Sequence, residues 1–471
     1  MKKLTKIVAT ISDMNCEPDF IRSLYDAGMS AVRLNTAHQE HKDSLKVVEN
    51  VRKVSDAIPL VLDTKGPEVR TTKKESDINV KTGDIIKMIG DPDKLSSKEC
   101  VYLNYKGFVE DVPVGKLILI DDGDVALIVK EKKDNALICE VQNDGEIGGK
   151  KSVNVPGVHI HLPALSDRDR GYIDFAIEHE IDFIAHSFVR NKEDVQVIQD
   201  ILDEHNSKSK IIAKIENQEG VENIDEIIDH VHGIMVARGD LGIEIPAEKI
   251  PAIQKMIIRK CREKCKPVIT ATQMLHTMIK KPRPTRAEVS DVANAVYDGT
   301  DSLMLSGETA YGDYPLESVQ TMAKIAKSAE EATDAMVNID VDPSSHQIPA
   351  FLARTAVKAE SKIPMKGIVI DTSTGRTARY ISAFRGNIPI YVECYDPKVM
   401  RQLAITYGVT ASYMPARQEG VEKFINKSLN HLVKDDLLQK EDTVLVLAGN
   451  FGPSTGASFL EISTVKNMLQ L

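Results

Sequence analysis

No uninterrupted apolar stretch in the 471 residues approaches the ~20 needed to cross a bilayer as a helix. The N-terminus, MKKLTKIVATISD, opens with a pair of lysines but is broken at Ser12 and Asp13, too soon for the apolar core of a signal peptide. Cysteine is scarce too. The six, at positions 16, 100, 139, 261, 265 and 394, have no framework spacing, which excludes a disulfide-built scaffold and predicts ordinary reduced thiols. Cys261 and Cys265 are four apart in MIIRKCREKC and share a helical face, but no His or further Cys stands near enough in sequence to complete a zinc site. Positive charge is not in excess: 60 Lys and Arg face 70 Asp and Glu, a net charge of −10. That balance argues against general binding to nucleic acid or anionic membranes, while leaving room for a local basic pocket that takes phosphates. Repeats and low-complexity segments are missing as well. With 42% hydrophobic and 28% charged residues, the composition is that of a soluble globular chain. The expectation is a cytoplasmic protein with neither nucleic acid nor membrane as a partner.

At roughly 150 residues per domain, the length allows about three domains, although a single barrel can take about 250. Eight short β-rich runs recur between Thr5 and Glu308: TKIVATI, AVRLN, PLVLDTKG, FIAHSF, KIIAKIE, GIMVARGD, KPVITATQ and SLMLSGE. Helical patterns alternate with them, and seven of the eight ends carry a charged or hydroxyl residue. Eight buried strands alternating with helices predict an α/β fold, a (β/α)8 TIM barrel whose polar strand ends converge on one mouth. Between the third and fourth runs lies a stretch rich in Gly, Asp and β-branched residues, which predicts a small all-β lid domain over residues 72–158. The barrel is then residues 1–71 and 159–342. After the linker-like VDPSSHQ, a fresh pattern (GIVIDT, IPIYVEC, DTVLVLAGN) predicts a C-terminal α/β domain over 346–471.

KIIAKIENQEG is the most informative segment. Lys214 and Glu216 stand two apart at the end of an isoleucine-rich strand, so they point the same way. A charged pair inside an apolar strand is costly unless it is paired or bound to something. A buried structural salt bridge is the plain alternative for this motif alone. The next run supplies Asp240 in VARGDLG, followed by LGIEIPAEKI, which starts like a helix. One Glu and one Asp from adjacent strand ends suit Mg²⁺, which completes its shell with water and substrate oxygens. The helix N-terminus offers N–H groups to an anion. Arg33 and Asn35 share a face in VRLN; Asp63, Thr64, Lys65, Glu68 and Arg70 cluster in DTKGPEVR; Thr272 and Gln273 end the seventh run, and Ser306 and Glu308 the eighth. Two Arg and one Lys at one mouth make a phosphoryl-sized positive charge, and phosphoryl transfer needs mainly positioning and charge neutralisation.

AKIEN, VARGDLGIE, TATQML, PTRAEVSDVANAV and LSGETAYGDYP, together with IDDGDVALIV and GGKKSVNVPG in the insertion, resemble the pyruvate kinase family in order and interval over essentially the whole chain. The resemblance implies phosphoryl transfer from phosphoenolpyruvate to ADP, giving pyruvate and ATP, with Mg²⁺ (or Mn²⁺) and K⁺ as cofactors. It implies that Lys214 and Arg33 hold the transferring group and that Glu216 and Asp240 ligate the divalent metal. The Gly239–Asp240 backbone and Thr272 would seat the substrate carboxylate, and Ser306 and Glu308 would serve the proton path. Arg70, Lys151, His38 and Asp122 would serve the nucleotide, Asp122 by facing the site on closure. K⁺ would be held by Asn35, Asp63 and the Thr64 carbonyl. A homotetramer is implied, as is a phosphorylated allosteric effector at Thr372, Ser373, Thr374, Gly375, Arg376 and Thr377, helped by a second loop at Gly452–Gly456. For the first of these loops, simple Ser/Thr capping is the alternative.

The chain departs from the family at three places. TISDMN stands where the family reads TIGPAS, so Ser12 and Asp13 replace a Gly-Pro that frames the adenine pocket. RLNTAHQ stands for RLNFSHG, losing at Ala37 the serine hydroxyl that is normally the fourth K⁺ ligand. Tyr407 in AITYGV stands where a Trp is common. The Glu68 of DTKGPE is retained, and family members that dispense with K⁺ tend to carry Lys there. Two other readings compete. A metal-dependent pyruvate aldolase or lyase on a barrel would not need Lys151, the insertion or the C-terminal domain. A non-catalytic phosphometabolite sensor would not need Arg33, Lys214, Glu216, Asp240 and Thr272 together.

Overall fold

The computed structural model describes residues 3–37, 39–336, 338–342, 347–415, 420–449 and 457–470. All eight β-rich runs are strands of one closed parallel barrel: β1 (Lys6–Thr10), β2 (Ala31–Asn35), β3 (Leu60–Asp63), β4 (Phe183–His186), β5 (Lys210–Ile215), β6 (Gly233–Ala237), β7 (Val268–Ala271) and β8 (Ser302–Leu305). Each pairs with its neighbours in sequence order, and β1 closes on β8. Side-chain alternation then decides what faces inward. Val8, Ala31, Val61, Ile212, Met235, Ile269 and Met304 fill the interior, while Ile7, Val32, Leu60, Ile211 and Ile234 pack outward against the helices. Each fully buried Val, Leu, Ile or Met among them contributes ~1.5–3 kcal/mol. Two residues on from Ala31, Val61 and Ile212, the same parity puts Arg33, Asp63 and Lys214 inside the mouth, with Asn35 and Glu216 one step further out.

The insertion between β3 and β4 holds a two-stranded sheet (Ile78–Val80 with Gly145–Ile147) and a six-stranded sheet, with one short helix, Phe108–Asp111. It has its own apolar core around Val101, Phe108, Ile120 and Leu127. The C-terminal sheet has five strands, in the order Val409–Tyr413, Ile390–Cys394, Ile368–Thr372, Thr443–Ala448 and Phe459–Thr464, the last antiparallel. Only the three central ones were expected. The two edge strands, VTASY and FLEIST, mix hydroxyl and charged residues with apolar ones and are only partly buried, so they lack the continuous apolar signal of their neighbours.

This domain docks on the base of the barrel, opposite the mouth. Asp301, just before β8, takes Arg385 at 2.6 Å and the Tyr407 N–H at 3.0 Å. Asp182, just before β4, takes Arg401 at 2.6 Å, Arg52 at 3.3 Å and the Leu60 N–H at 2.9 Å. Both carboxylates are buried and multiply satisfied, the condition under which buried charge is tolerated. Among the described residues, no helix is long and apolar enough to cross a membrane.

His186, the last residue of β4, is fully enclosed. Burial outweighs the pull of Asp194 and Asp169 and holds its pKa down at about 4, against an ordinary 6.5. Between those values the unfolded chain binds a proton that the folded protein excludes, so stability falls as pH drops from 6.5 towards 4. The full loss is about 3 kcal/mol. Denaturant melts of His186→Leu at pH 7 and pH 4.5 are expected to show a smaller acid loss than the parent, by an amount of that order; equal losses would mean that this imidazole titrates normally.

Candidate active site

Arg33, Asp63, Lys214 and Glu216 form one buried charge network at the barrel mouth. Arg33 Nε lies 2.5 Å from Asp63 Oδ2 and its Nη1 donates to Thr10 Oγ1 at 3.0 Å. Lys214 Nζ lies 3.0 Å from Asp63 Oδ1, 2.9 Å from Glu216 Oε1 and 2.8 Å from Ser187 Oγ. These groups line a cavity of about 270 Å³ together with Asn35, Thr64, Glu68, Arg70, Phe188 and Asp240. Burial works against the Asp63 carboxylate, but Arg33 and Lys214 overcome it and hold its pKa below the usual range. For Lys214, burial is likewise outweighed, by Asp63 and Glu216, and its ammonium is stabilised. The other two carboxylates go the opposite way. Burial, with Asp240 nearby, outweighs Lys214 and pushes Glu216 above the usual carboxylate range. Burial also raises Asp240, in spite of Lys214.

Two carboxylates so under-compensated by the protein's own cations fit a divalent ion. Their all-oxygen donors suit Mg²⁺ or Mn²⁺. Among the described residues, no group of three or more His, Cys, Asp or Glu is poised around one metal position, so protein ligands beyond this pair would have to be replaced by water and substrate oxygens. Asn35, Asp63 and Thr64 bring further oxygens to the same cavity. Asn35 Oδ1 accepts the Ala37 N–H at 3.2 Å and the Thr64 carbonyl accepts from Ser187 Oγ at 2.6 Å, which leaves each a second lone pair. Such a set fits a monovalent cation with three protein ligands, and the Ala37 methyl adds none.

A larger cleft of about 780 Å³ opens from this cavity between barrel and insertion, sharing Glu68, Arg70, Phe188 and Asp240 and adding Lys151 and Asp122. Arg70 is paired with Glu68 and donates to the Lys150 carbonyl at 2.7 Å. Lys151 rests on Asp121 at 2.7 Å, and Asp122 accepts from Ser152 Oγ at 3.1 Å. The insertion thus carries cationic and acidic side chains over the barrel mouth.

Thr272, Ser306 and Glu308 are not brought into the 270 Å³ cavity. β7 ends at Ala271, two residues short of the expected end, because Thr272 and Gln273 turn into the left-handed region, at φ +66° and +54°. That conformation is costly for a β-branched residue. It is fixed by three bonds: Thr272 Oγ1 accepts the Gly239 N–H at 2.8 Å and donates to the Ala271 carbonyl at 2.7 Å, while Arg238 Nη2 donates to the Thr272 carbonyl at 2.8 Å. The helix expected from Leu241 begins earlier, at Arg238, since Arg238 is anchored by Asp291 and the Ala271 carbonyl, and it is cut short at Glu244 before Pro246. Gly239 and Asp240 therefore sit in its first turn, and the Gly239 N–H is already engaged by Thr272. Glu308 is buried, its Oε1 accepting the Leu275 N–H at 3.1 Å and its Oε2 the Ser306 N–H at 2.8 Å, so it ties the loops after β7 and β8 together. In the C-terminal domain, Thr372 Oγ1 accepts the N–H groups of Gly375 at 2.8 Å and Thr374 at 3.4 Å, a turn ahead of the helix Arg376–Ala383, whose N-cap Gly375 has no side-chain cap; Ser373, Thr374 and Arg376 are exposed. His38 and the Gly452–Gly456 loop lie outside the described residues.

Ser187 and Phe188 escaped the sequence reading. Ser187 Oγ joins Lys214 to the Thr64 carbonyl. Phe188, at φ +55°, turns its N–H onto Glu216 Oε2 at 2.7 Å. The signal was present in FIAHSF, whose strand end is where polar groups of a barrel converge, but neither residue is charged.

Known proteins bear on this geometry directly. The family "Pyruvate kinase, barrel domain" matches residues 2–319, and "Pyruvate kinase, alpha/beta domain" matches residues 351–463. A pyruvate kinase of Borreliella burgdorferi is 46% identical over 474 residues, covering 100% of this chain and 99% of its own. One from Bacillus licheniformis is 41% identical over 99% of this chain and 81% of its own. The crystal structure of a pyruvate kinase from Cryptosporidium parvum superposes with a TM-score of 0.93 at 38% identity, covering 98% of this chain and 96% of that one. With the family matched across both its barrel and its α/β domain, the chain belongs to the pyruvate kinase family.

Proposed function

We propose that this chain transfers the phosphoryl group of phosphoenolpyruvate to ADP, forming ATP and pyruvate, the last step of glycolysis. The observation that carries the reading is the Arg33–Asp63–Lys214–Glu216 network with Asp240 around one small cavity: an ammonium and a guanidinium, each held in place by carboxylates, at the bottom of a cleft that the insertion overhangs. Phosphoryl transfer asks for this kind of pre-set charge, because the transferring group develops negative charge on its oxygens. Arg33 and Lys214 face those oxygens, and Asp63 keeps both in position. Mg²⁺ or Mn²⁺, held by Glu216 and Asp240, would neutralise phosphoryl and carboxylate charge when bound. A β-phosphate oxygen of ADP forms the new P–O bond as the bond to the enol oxygen breaks; the enolate keeps the electron pair and is then protonated at carbon. Ser306 supplies a hydroxyl on the barrel's β7–β8 side for that proton's path, and Glu308 positions the two loops beside it. Lys151, Arg70, His38 and Asp122 bind or face the nucleotide phosphates, the insertion acting as the lid.

The domains run over residues 1–71 and 159–342, 72–158 and 346–471. The exposed tips of the Thr372–Thr377 loop would receive a phosphorylated effector. A cytoplasmic homotetramer completes the reading. Pyruvate formation from phosphoenolpyruvate and ADP, with Mg²⁺ and K⁺ varied separately, tests it; no turnover under any combination would leave the sensor reading.

K⁺ would sit with Asn35, Asp63 and the Thr64 carbonyl. Ala37 removes one oxygen that water must replace, and an oxygen lost from a polar site is worth about 1–3 kcal/mol unreplaced and less when water fills in. Ala37→Ser is therefore expected to lower the half-activating K⁺ concentration several-fold. Full activity without K⁺, unchanged by the substitution, would mean that another group supplies the charge.

A further inference from the structure

The segment that returns from the insertion to the barrel reads VPGVHIHLPAL from Val155, turning at Gly157, whose φ is +67°. Val158, Ile160 and Leu162 pack on the core of the insertion. Alternation turns His159 and His161 the other way. His159 Nδ1 lies 2.5 Å from Glu219 Oε2 of the barrel, and His161 Nδ1 lies 2.9 Å from Asp111 Oδ1 of the insertion. The two rings meet edge to face, with centroids 4.6 Å apart. A continuous bridge, Glu219–His159–His161–Asp111, therefore runs from the barrel along the returning segment into the insertion.

Both ends of the bridge are held. Asp111 Oδ2 also accepts the His161 N–H at 2.9 Å and the Tyr105 hydroxyl at 2.9 Å. Glu219 lies in the short helix Gln218–Glu222, three residues after Glu216, and this helix is capped by Asn217 Oδ1 accepting the Gly220 N–H at 2.7 Å. Beside it, the Ile160 carbonyl accepts from Arg190 Nη1 at 3.1 Å, and Arg190 is itself locked bidentate on Asp194. The barrel thus grips the returning segment through the loops after β4 and β5, the same loops that present Phe188 and Glu216 to the reacting centre.

We propose that this bridge is a hinge latch that sets the angle at which the lid presents Lys151 to the nucleotide, with His159, Glu219, His161 and Asp111 as positioning residues. The proposal rests on the reading of the insertion as the nucleotide lid. Exposed pairs of this kind add little to global stability, so their loss is read in lid placement and nucleotide affinity. The contacts are removed with His159→Ala, Glu219→Ala and the double variant, and His159→Gln tests rescue by a side chain that still donates. With phosphoenolpyruvate saturating, each single variant is expected to raise the KM for ADP about five- to tenfold while kcat and the KM for phosphoenolpyruvate change less than about twofold. The double variant should be no worse than either single one, and His159→Gln should recover part of the loss. Hydrogen exchange over residues 153–162 should quicken in the single variants. An unchanged KM for ADP, a fall in kcat alone, or additive effects in the double variant would each overturn the latch. Exchange is read without turnover, so a parent protein that forms no pyruvate would remove the function reading while leaving the latch to be judged by the exchange of the hinge.

Discussion

Lys214→Met is expected to cut phosphoryl transfer at least ~10³-fold while the protein still melts cooperatively. Removing a single donor from a site that stabilises developing charge typically costs 10²–10³-fold, and Lys214 brings a full buried charge. Its ammonium lies within 3.0 Å of both Asp63 and Glu216, and it is the only lysine of the network that touches both. Met retains the aliphatic stem inside the barrel, so the interior packing around Ile212 and Met235 is preserved. Asp63 keeps Arg33 as a partner, and Glu216, whose carboxyl is already raised, can take a proton in place of the lost ion pair. Steady-state pyruvate formation beside circular-dichroism melting separates the two effects. Turnover within tenfold of the parent would show that the role given to Lys214 belongs elsewhere.

Glu216→Gln is expected to raise the half-saturating Mg²⁺ concentration by about 10²-fold or more, since losing even a group that only supports a metal ligand costs 10–100-fold in affinity. The amide is nearly isosteric and can still accept the Phe188 N–H, so the loop after β5 should hold its place. Mn²⁺ binding followed by electron paramagnetic resonance reads the affinity without turnover. Unaltered Mn²⁺ affinity would mean that the metal is held by other oxygens of the cavity.

Much of this site was legible because a barrel strand keeps strict parity. Once Ala31, Val61 and Ile212 are read as interior, Arg33, Asp63 and Lys214 must follow them to the mouth, however far apart they lie in sequence. What stayed illegible depends on backbone direction and on partners distant along the chain. Phe188 acts through an N–H that only its left-handed φ turns towards Glu216, and nothing in the residue type announces this. Thr272 was singled out for its hydroxyl, yet in the folded chain that hydroxyl is occupied by the Gly239 N–H. Glu308 reads as a mouth carboxylate, but two backbone N–H groups draw both of its oxygens into the loops. In the C-terminal sheet, the central strands show as apolar runs, whereas the edge strands Val409–Tyr413 and Phe459–Thr464 are half-wet and merge with loop composition. His159 and Glu219 lie sixty residues apart, and no local pattern joins them.

The most direct test of the central claim follows the phosphorus itself. In ³¹P NMR of the purified protein with phosphoenolpyruvate, ADP, Mg²⁺ and K⁺, the phosphoenolpyruvate resonance should disappear as the γ-phosphate of ATP grows in, one for one, and chelation of Mg²⁺ should stop the exchange. Accumulation of inorganic phosphate in place of ATP, or an unchanged spectrum with every component present, would contradict phosphoryl transfer between these substrates at the Lys214–Glu216–Asp240 centre.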